Sequence, residues 1–298
     1  MTWTQNTFDN PVTRYPKVEP PEDHVPEPGR DSELDPPADH GEETYVGSGR
    51  LEGRKALVTG GDSGIGAAAA IAFAREGADV ALVYLPAEQV DASYIAEQIE
   101  KAGRKAVLIP GDLTDRDFCK VAIEQAIDGL GGLDILVNNA GKQITCPDLT
   151  QLDDEQFEQT MRTNIFAMFY LTKAALPHLP AGSTIINTTS VQAYLPGPEL
   201  VDYATTKAAI NAFTKALAGQ LAPKGIRVNA VAPGPIWTPL QPSKGQPAEK
   251  LPKFGTQTPI GRAGQPAELA PAYVFLASPE SSYVIGETLA VTGGMPTP

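Results

Sequence analysis

Cysteine, histidine and tryptophan are scarce in this chain of 298 residues, which holds two Cys, three His and two Trp. Cys119 and Cys146 have no Cys or His at metal-ligand spacing, so a disulfide framework and a zinc module are both excluded and two free thiols are expected. No metal site is expected. His24, His40 and His178 stand apart from one another and are expected on the surface or in the tail. No run approaches the ~18 uninterrupted apolar residues of a membrane helix, and residues 1–6 lack the basic-then-apolar layout of a signal peptide. A cytoplasmic protein without a membrane partner is therefore expected. Basic charge is also short: 23 Lys and Arg face 36 Asp and Glu, for a net charge of −13. An acidic surface without a basic cluster repels phosphate backbones, which sets nucleic acid aside as a partner.

The acidity is uneven. Residues 1–48 carry eleven Asp or Glu against three Lys or Arg, a net −8, while the other 250 residues carry −5. This stretch is rich in Pro, Glu and Asp and has almost no apolar periodicity, so it cannot bury a core of its own. It reads as an extension, either a solvated tail or an arm docked on its own domain or a neighbour. From Gly49 onward, short β-branched runs alternate with helical stretches of 12 or more residues, the pattern of βαβ units and a parallel sheet. Strands are expected at 55–59, 79–84, 105–109, 135–138, 184–188, 227–231 and 288–291. Helices are expected near 64–76, 90–102, 115–130, 153–176, 203–221 and 267–277, with Thr114 as the hydroxyl cap of the third. The fold class is α/β: a Rossmann-like, doubly wound, parallel seven-stranded sheet in one domain, 49–298, with an N-terminal extension, 1–48. A Pro- and Gly-rich segment, 235–262, reads as a lid.

Two motifs carry chemistry. Thr59-Gly60-Gly61-Asp62-Ser63-Gly64-Ile65-Gly66 follows the first strand and opens the first helix. Missing side chains let backbone approach a pyrophosphate, and a helix start offers free N–H groups and the positive end of its dipole. Tyr203 and Lys207 are four residues apart and share a helix face. A cation ~4 Å from the phenol supplies about 4 kcal/mol at an effective dielectric of ~20, enough to bring a tyrosine that titrates near ~10 toward neutrality. The pair reads as a proton-transfer device with the phenol's pKa depressed by the lysine.

Joined to Asp112 after the third strand, Asn138-Asn139-Ala140-Gly141 after the fourth, Asn164, Ser190, and Pro233-Gly234 after the sixth, these motifs resemble the short-chain dehydrogenase/reductase family in its single-domain branch. The match spans residues 50–298. The acidic, Pro-rich extension resembles a bacterial subgroup described as aldehyde reductase-like or sugar and polyol dehydrogenase-like. The resemblance implies a metal-independent oxidoreductase moving a hydride between a nicotinamide cofactor and an aldehyde, ketone, sugar or polyol. It implies Tyr203 as general acid or base, Lys207 as its partner and holder of the nicotinamide ribose, and Ser190 as donor to the developing alkoxide. Asn164 is implied to kink its helix and hold a water that links Lys207 to solvent. Gly60, Asp62, Ser63, Gly64, Ile65 and Gly66 are implied at the cofactor phosphates and ribose, with Asp112, Leu113, Asn138, Ala140 and Gly141 along the adenosine side. The blander alternative for Asp112 is a cap on the turn at Gly111-Asp112. Pro233, Gly234, Ile236 and Thr238 are implied at the carboxamide, whereas Trp237 reads as lid packing.

Between NAD(H) and NADP(H), no acid or cation ends the second strand at Tyr84-Leu85-Pro86, but Asp62 should repel a 2′-phosphate, so NAD(H) is favoured with dual use open. Gln143, Gln192, Tyr194 and Leu195 are expected to share the substrate wall. Lys244, Lys250 and Lys253 either meet an anionic substrate or are solvated. The family pairs the helices at 153–176 and 203–221 across a two-fold axis, which implies a homotetramer or homodimer. Two other readings stay open: a nicotinamide-binding regulator or scaffold without turnover, and a sugar-nucleotide epimerase or dehydratase.

Overall fold

The computed structural model describes residues 3–297. Seven parallel strands form one sheet in the order β3-β2-β1-β4-β5-β6-β7: β1 (Lys55–Thr59), β2 (Asp79–Tyr84), β3 (Ala106–Pro110), β4 (Ile135–Asn138), β5 (Thr184–Thr188), β6 (Arg227–Pro233) and β7 (Thr288–Val291). The winding reverses between β1 and β4, and the carboxyl ends on either side of that point open a crevice. Helices cover both faces: α1 (Gly64–Arg75), α2 (Gln89–Lys101), α3 (Arg116–Leu130), α4 (Asp154–Met161), α5 (Ala167–Ala175), α6 (Val201–Leu221) and α7 (Pro266–Ala277).

Inner strands such as Leu57, Val58, Ile135 and Leu136 are buried because a parallel sheet has helices on both sides. Their alternate side chains feed two cores. One lies against α1, α2 and α7 and holds Val58, Ile71, Phe73 and Leu82; the other lies against α3, α5 and α6 and holds Leu57, Ile123, Leu136 and Ile185. Among the described residues no helix is long and apolar enough to cross a membrane.

Three local expectations shift. The cap of α3 is Asp115, whose carboxylate accepts from the N–H groups of Asp117 and Phe118, rather than Thr114. A carboxylate one residue nearer the helix reaches those donors better. The expected helix over 153–176 is interrupted by a π-turn at Arg162–Phe166, centred on Asn164. The sixth helix begins two residues before Tyr203, at Val201.

Residues 3–48 contribute no strand to the sheet; they lie along the surface of the domain. A third, small core joins Val18 and Leu34 of this arm to Trp237, Leu251, Phe254 and Ala263. Trp237 is fully buried and donates its indole N–H to the Pro36 carbonyl at 2.7 Å. At the junction with the domain, Glu76 accepts from Tyr45 Oη at 2.7 Å, from Arg50 and from the Ser48 N–H. Those donors hold its carboxyl well below the usual range, at about 2, against the opposing effect of burial.

His40 is not on the surface. It is buried within the arm, Nε2 2.9 Å from Asp31 Oδ2 and Nδ1 2.9 Å from Glu42 Oε1. Burial alone would lower its pKa, but the two carboxylates override burial and raise it to about 10, so the imidazolium is a fixed charge at neutral pH. His178 is exposed, and exposed His24 reaches the Gln246 carbonyl at 2.8 Å.

Candidate active site

A cleft of about 780 Å³ runs across the carboxyl ends of the strands, from the loop after β1 to the segment after β6. Gly60, Asp62, Ser63, Gly64, Ile65, Asp112, Leu113, Ala140, Gly141, Ser190, Tyr203, Lys207, Pro233, Gly234, Ile236 and Thr238 all line it. Residues over 170 positions apart in sequence meet there because most sit at or just beyond a strand end, while α6 carries Tyr203 and Lys207 over the end of β5.

Gly66, Asn138 and Asn164 do not line it. Gly66 lies beneath the loop, where a Cβ would overlap the Gly60 carbonyl oxygen, so glycine here lets α1 pack on the loop that precedes it. Asn138 is turned into the interior, donating to Thr172 Oγ1 at 3.2 Å and Asn187 Oδ1 at 2.9 Å. As the last residue of β4 its side chain alternates inward, and its neighbour Asn139 faces the cleft instead. Asn164 is buried at the π-turn, accepting from Lys142 N–H at 2.7 Å and donating to the Lys142 carbonyl and to Thr206 Oγ1. Beside it a satellite cavity of about 10 Å³, also lined by Thr188 and Ile210, has roughly the volume one water molecule needs.

Tyr203 and Lys207 share one face of α6 as their spacing requires. The Lys207 ammonium is 5.3 Å from the Tyr203 ring centroid and donates to the Thr188 carbonyl at 2.9 Å. The expected depression of the phenol is absent from the protein alone. Burial pushes Tyr203 up to about 12, with the Ser190 hydroxyl acting weakly in the other direction, and burial pulls Lys207 down to about 8. Desolvation dominates at both groups, so the resting phenol holds its proton. Ser190 Oγ accepts from Gln192 N–H at 3.1 Å, which leaves its own hydrogen free to donate.

At the other end, Asp62 is buried with neither carboxylate oxygen bonded to another group. Burial first, and then the nearby Glu88, raises its pKa well above the carboxylate range; burial and Asp91 raise Glu88 to about 7. A buried carboxyl without a donor calls for one from a ligand. Ser63 gives α1 no side-chain cap, and its first amide, Gly64 N–H, donates instead to Asp31 Oδ2 of the arm at 2.7 Å. Asp112 caps its own turn, accepting from Thr114 N–H at 2.8 Å, and also lines the cleft. The long cleft, the orphaned carboxyl at one end and the phenol–ammonium pair at the other fit a dinucleotide.

Sequence reasoning missed Thr188, Glu88 and three arm residues, Glu27, Pro28 and Gly29, all of which line the cleft; Asn139, within the expected 138–141 stretch, lines it too. Glu27 reaches Lys142 Nζ at 2.6 Å and Lys244 Nζ at 3.2 Å, tying the arm to the loop after β4 and to the 235–262 segment. No pattern within residues 1–48 points to this contact. Gln143 and Gln192 line the wall as expected, but Tyr194 and Leu195 do not, and Leu195 is exposed. Lys250 also lines the cleft, paired with Glu199 at 2.5 Å; Lys244 and Lys253 do not line it. Cys119 is buried, Cys146 is half-buried, and neither is bridged.

Residues 60–296 match the family model described as enoyl-(acyl carrier protein) reductase. The uncharacterized oxidoreductase YghA of Escherichia coli (strain K12) is 59% identical over 285 residues, covering 96% of this chain and 97% of its own. The glucose and ribitol dehydrogenase of Daucus carota is 46% identical over 280 residues, 92% of this chain and 96% of its own. A short chain dehydrogenase from Burkholderia cenocepacia J2315, crystallised in complex with NADP, superposes with a TM-score of 0.76 at 36% identity, covering 82% of this chain and 98% of that one. Order of motifs, sheet topology, cleft and these likenesses converge, and the chain belongs to the short-chain dehydrogenase/reductase family of nicotinamide-dependent oxidoreductases.

Proposed function

We propose that the chain reduces aldehydes or ketones, or oxidises the matching alcohols, sugars or polyols, with Tyr203 as the residue that exchanges the proton. The observation that carries this reading is the buried Tyr203–Lys207 pair facing Ser190 in a cleft whose far end is the glycine loop. A phenol that holds its proton is the form carbonyl reduction requires. Ser190, whose Oγ accepts from Gln192 N–H and whose hydrogen faces the Tyr203 phenol, donates to the substrate oxygen as charge develops there. Lys207, held by the Thr188 carbonyl, carries positive charge to the same place. Asn164 and the adjacent one-water cavity form the exit for the proton. The nicotinamide, when bound, supplies or accepts the hydride. Gly60 to Ile65 hold its phosphates and ribose, Asp112, Leu113, Ala140 and Gly141 its adenosine, and Pro233, Gly234, Ile236 and Thr238 its carboxamide.

NAD(H) is favoured over NADP(H). What supports this is Asp62: an orphaned carboxyl accepts ribose hydroxyls readily and opposes a 2′-phosphate. The absence of an arginine clamp among the described lining residues favours a neutral carbonyl, sugar or polyol, in keeping with the similarity to the glucose and ribitol dehydrogenase of Daucus carota. Residues 1–48 act as an extension that completes the cleft wall, and 235–262 as its lid. The exposed Phe157, Phe166 and Phe169 on α4, the π-turn and α5 suit pairing with a second copy, in a homodimer or homotetramer working in the cytoplasm. Fluorescence titration with NADH and NADPH, followed by turnover of an aldehyde and polyol panel, tests the whole reading. Cofactor binding without turnover of any panel member would replace it with a regulator.

A further inference from the structure

A second tyrosine lies beneath this site. Tyr273, on α7, is fully buried, and its hydroxyl is 2.7 Å from Thr188 Oγ1. Thr188 ends β5, and it faces three ways. Its carbonyl holds the Lys207 ammonium at 2.9 Å; its hydroxyl meets Tyr273; and the same hydroxyl donates to Asn139 Oδ1 at 3.2 Å. The Asn139 amide nitrogen in turn donates to the carbonyls of Thr59 and Gly60, both at 3.1 Å, in the glycine loop.

The direction of every proton in this chain is determined. With its nitrogen on two carbonyls, Asn139 presents its oxygen to Thr188 as an acceptor. Thr188 has one hydroxyl hydrogen and spends it there, so Tyr273 must be the donor to Thr188. Burial raises the Tyr273 phenol further, which keeps that donor protonated throughout the working pH range.

We propose that Tyr273 is a positioning residue: acting through Thr188, it sets the placement of the Lys207 ammonium and of the glycine loop at once. Fixing Thr188 Oγ1 fixes the rotamer and peptide plane of a residue whose carbonyl is the only protein acceptor seen for Lys207 Nζ among the described residues. The chain of bonds couples the proton-transfer end of the cleft to its cofactor end across β1, β4, β5 and α7. This inference rests on the reading of Tyr203 and Lys207 as the acid–base pair.

The test uses the full chain and a carbonyl substrate from the panel, comparing Tyr273→Phe, Thr188→Val and the double variant, with Tyr203→Phe as control. Tyr273→Phe should lower kcat about 5- to 10-fold, the equivalent of one lost neutral hydrogen bond, and shift the pH profile of kcat. The double variant should be no slower than Thr188→Val alone, because both changes break the same chain. Wild-type kcat and pH profile in Tyr273→Phe, with only its melting temperature lowered, would overturn the inference, as would effects that multiply in the double variant. Activity persisting in Tyr203→Phe would instead remove the acid–base reading beneath it.

Discussion

Asp31 Oδ2 accepts the N–H of Gly64 at 2.7 Å, so a carboxylate from the N-terminal arm sits on the first turn of the glycine-loop helix. Helix N-termini favour anions there, and with Ser63 giving no side-chain cap, Asp31 takes over that work. Its own position is held by the Asp31 N–H on Asp91 Oδ2 at 2.8 Å and by His40. The arm is thereby part of the glycine-loop end of the cleft as well as of its wall at Glu27.

Asp31→Asn should cost about 1 kcal/mol of stability, a fall of roughly 2–4 °C in Tm for a chain of this size. Removing one negative charge beside the glycine loop should also tighten NADPH more than NADH, which paired titrations at low salt would reveal. Equal gains for both cofactors would mean that Asp31 does not sense the 2′ position.

The charge on His40 makes arm docking depend on alkaline pH. Its folded pKa is raised, so its contribution is fully present below about 6.5 and is lost as pH rises through about 10. Tm of the wild type should therefore fall more steeply between pH 7 and 10 than Tm of His40→Gln, which has no such proton to lose. Parallel pH curves would remove His40 from the docking.

Asp62 should govern cofactor choice through its proton. Burial and Glu88 raise its pKa, so it is more readily neutral at low pH and ionises as pH rises, and ionisation repels a 2′-phosphate. NADPH affinity should then decline relative to NADH as pH rises. In Asp62→Asn that decline should vanish and the NADPH preference rise about tenfold, the worth of ~1.4 kcal/mol.

Tyr203→Phe should lower turnover by about 10²–10⁴-fold, the usual contribution of a positioned acid or base, while the Kd for NADH stays within a factor of two or so. A stopped enzyme that also fails to bind cofactor would show that the phenol serves structure instead.

At Tyr203 the residues themselves announced a shared face with Lys207, because a spacing of four on a helix is local geometry. They could not announce the direction of the pKa shift. That depends on how deeply α6 is buried against β5, which puts desolvation ahead of attraction. Asn138 shows the same boundary: its place after β4 was legible, whereas the inward turn of its side chain followed from where the strand stopped alternating. Asp115 displaced Thr114 as a cap by one residue, the ordinary slack in reading helix ends.

By itself the sequence determined the alternation of strand and helix, the glycine loop, and the shared helix face of Tyr203 and Lys207, because periodicity and spacing are properties of neighbours in the chain; Asn164 and Ser190 entered the candidate set only through the family resemblance. Only the tertiary structure decided that residues 3–48 dock, that Asp31 meets Gly64 and Glu27 meets Lys142, and that Tyr273 lies under Thr188. Those pairs are separated by 33, 115 and 85 residues, and no local pattern encodes a contact made only when the sheet brings distant strand ends together.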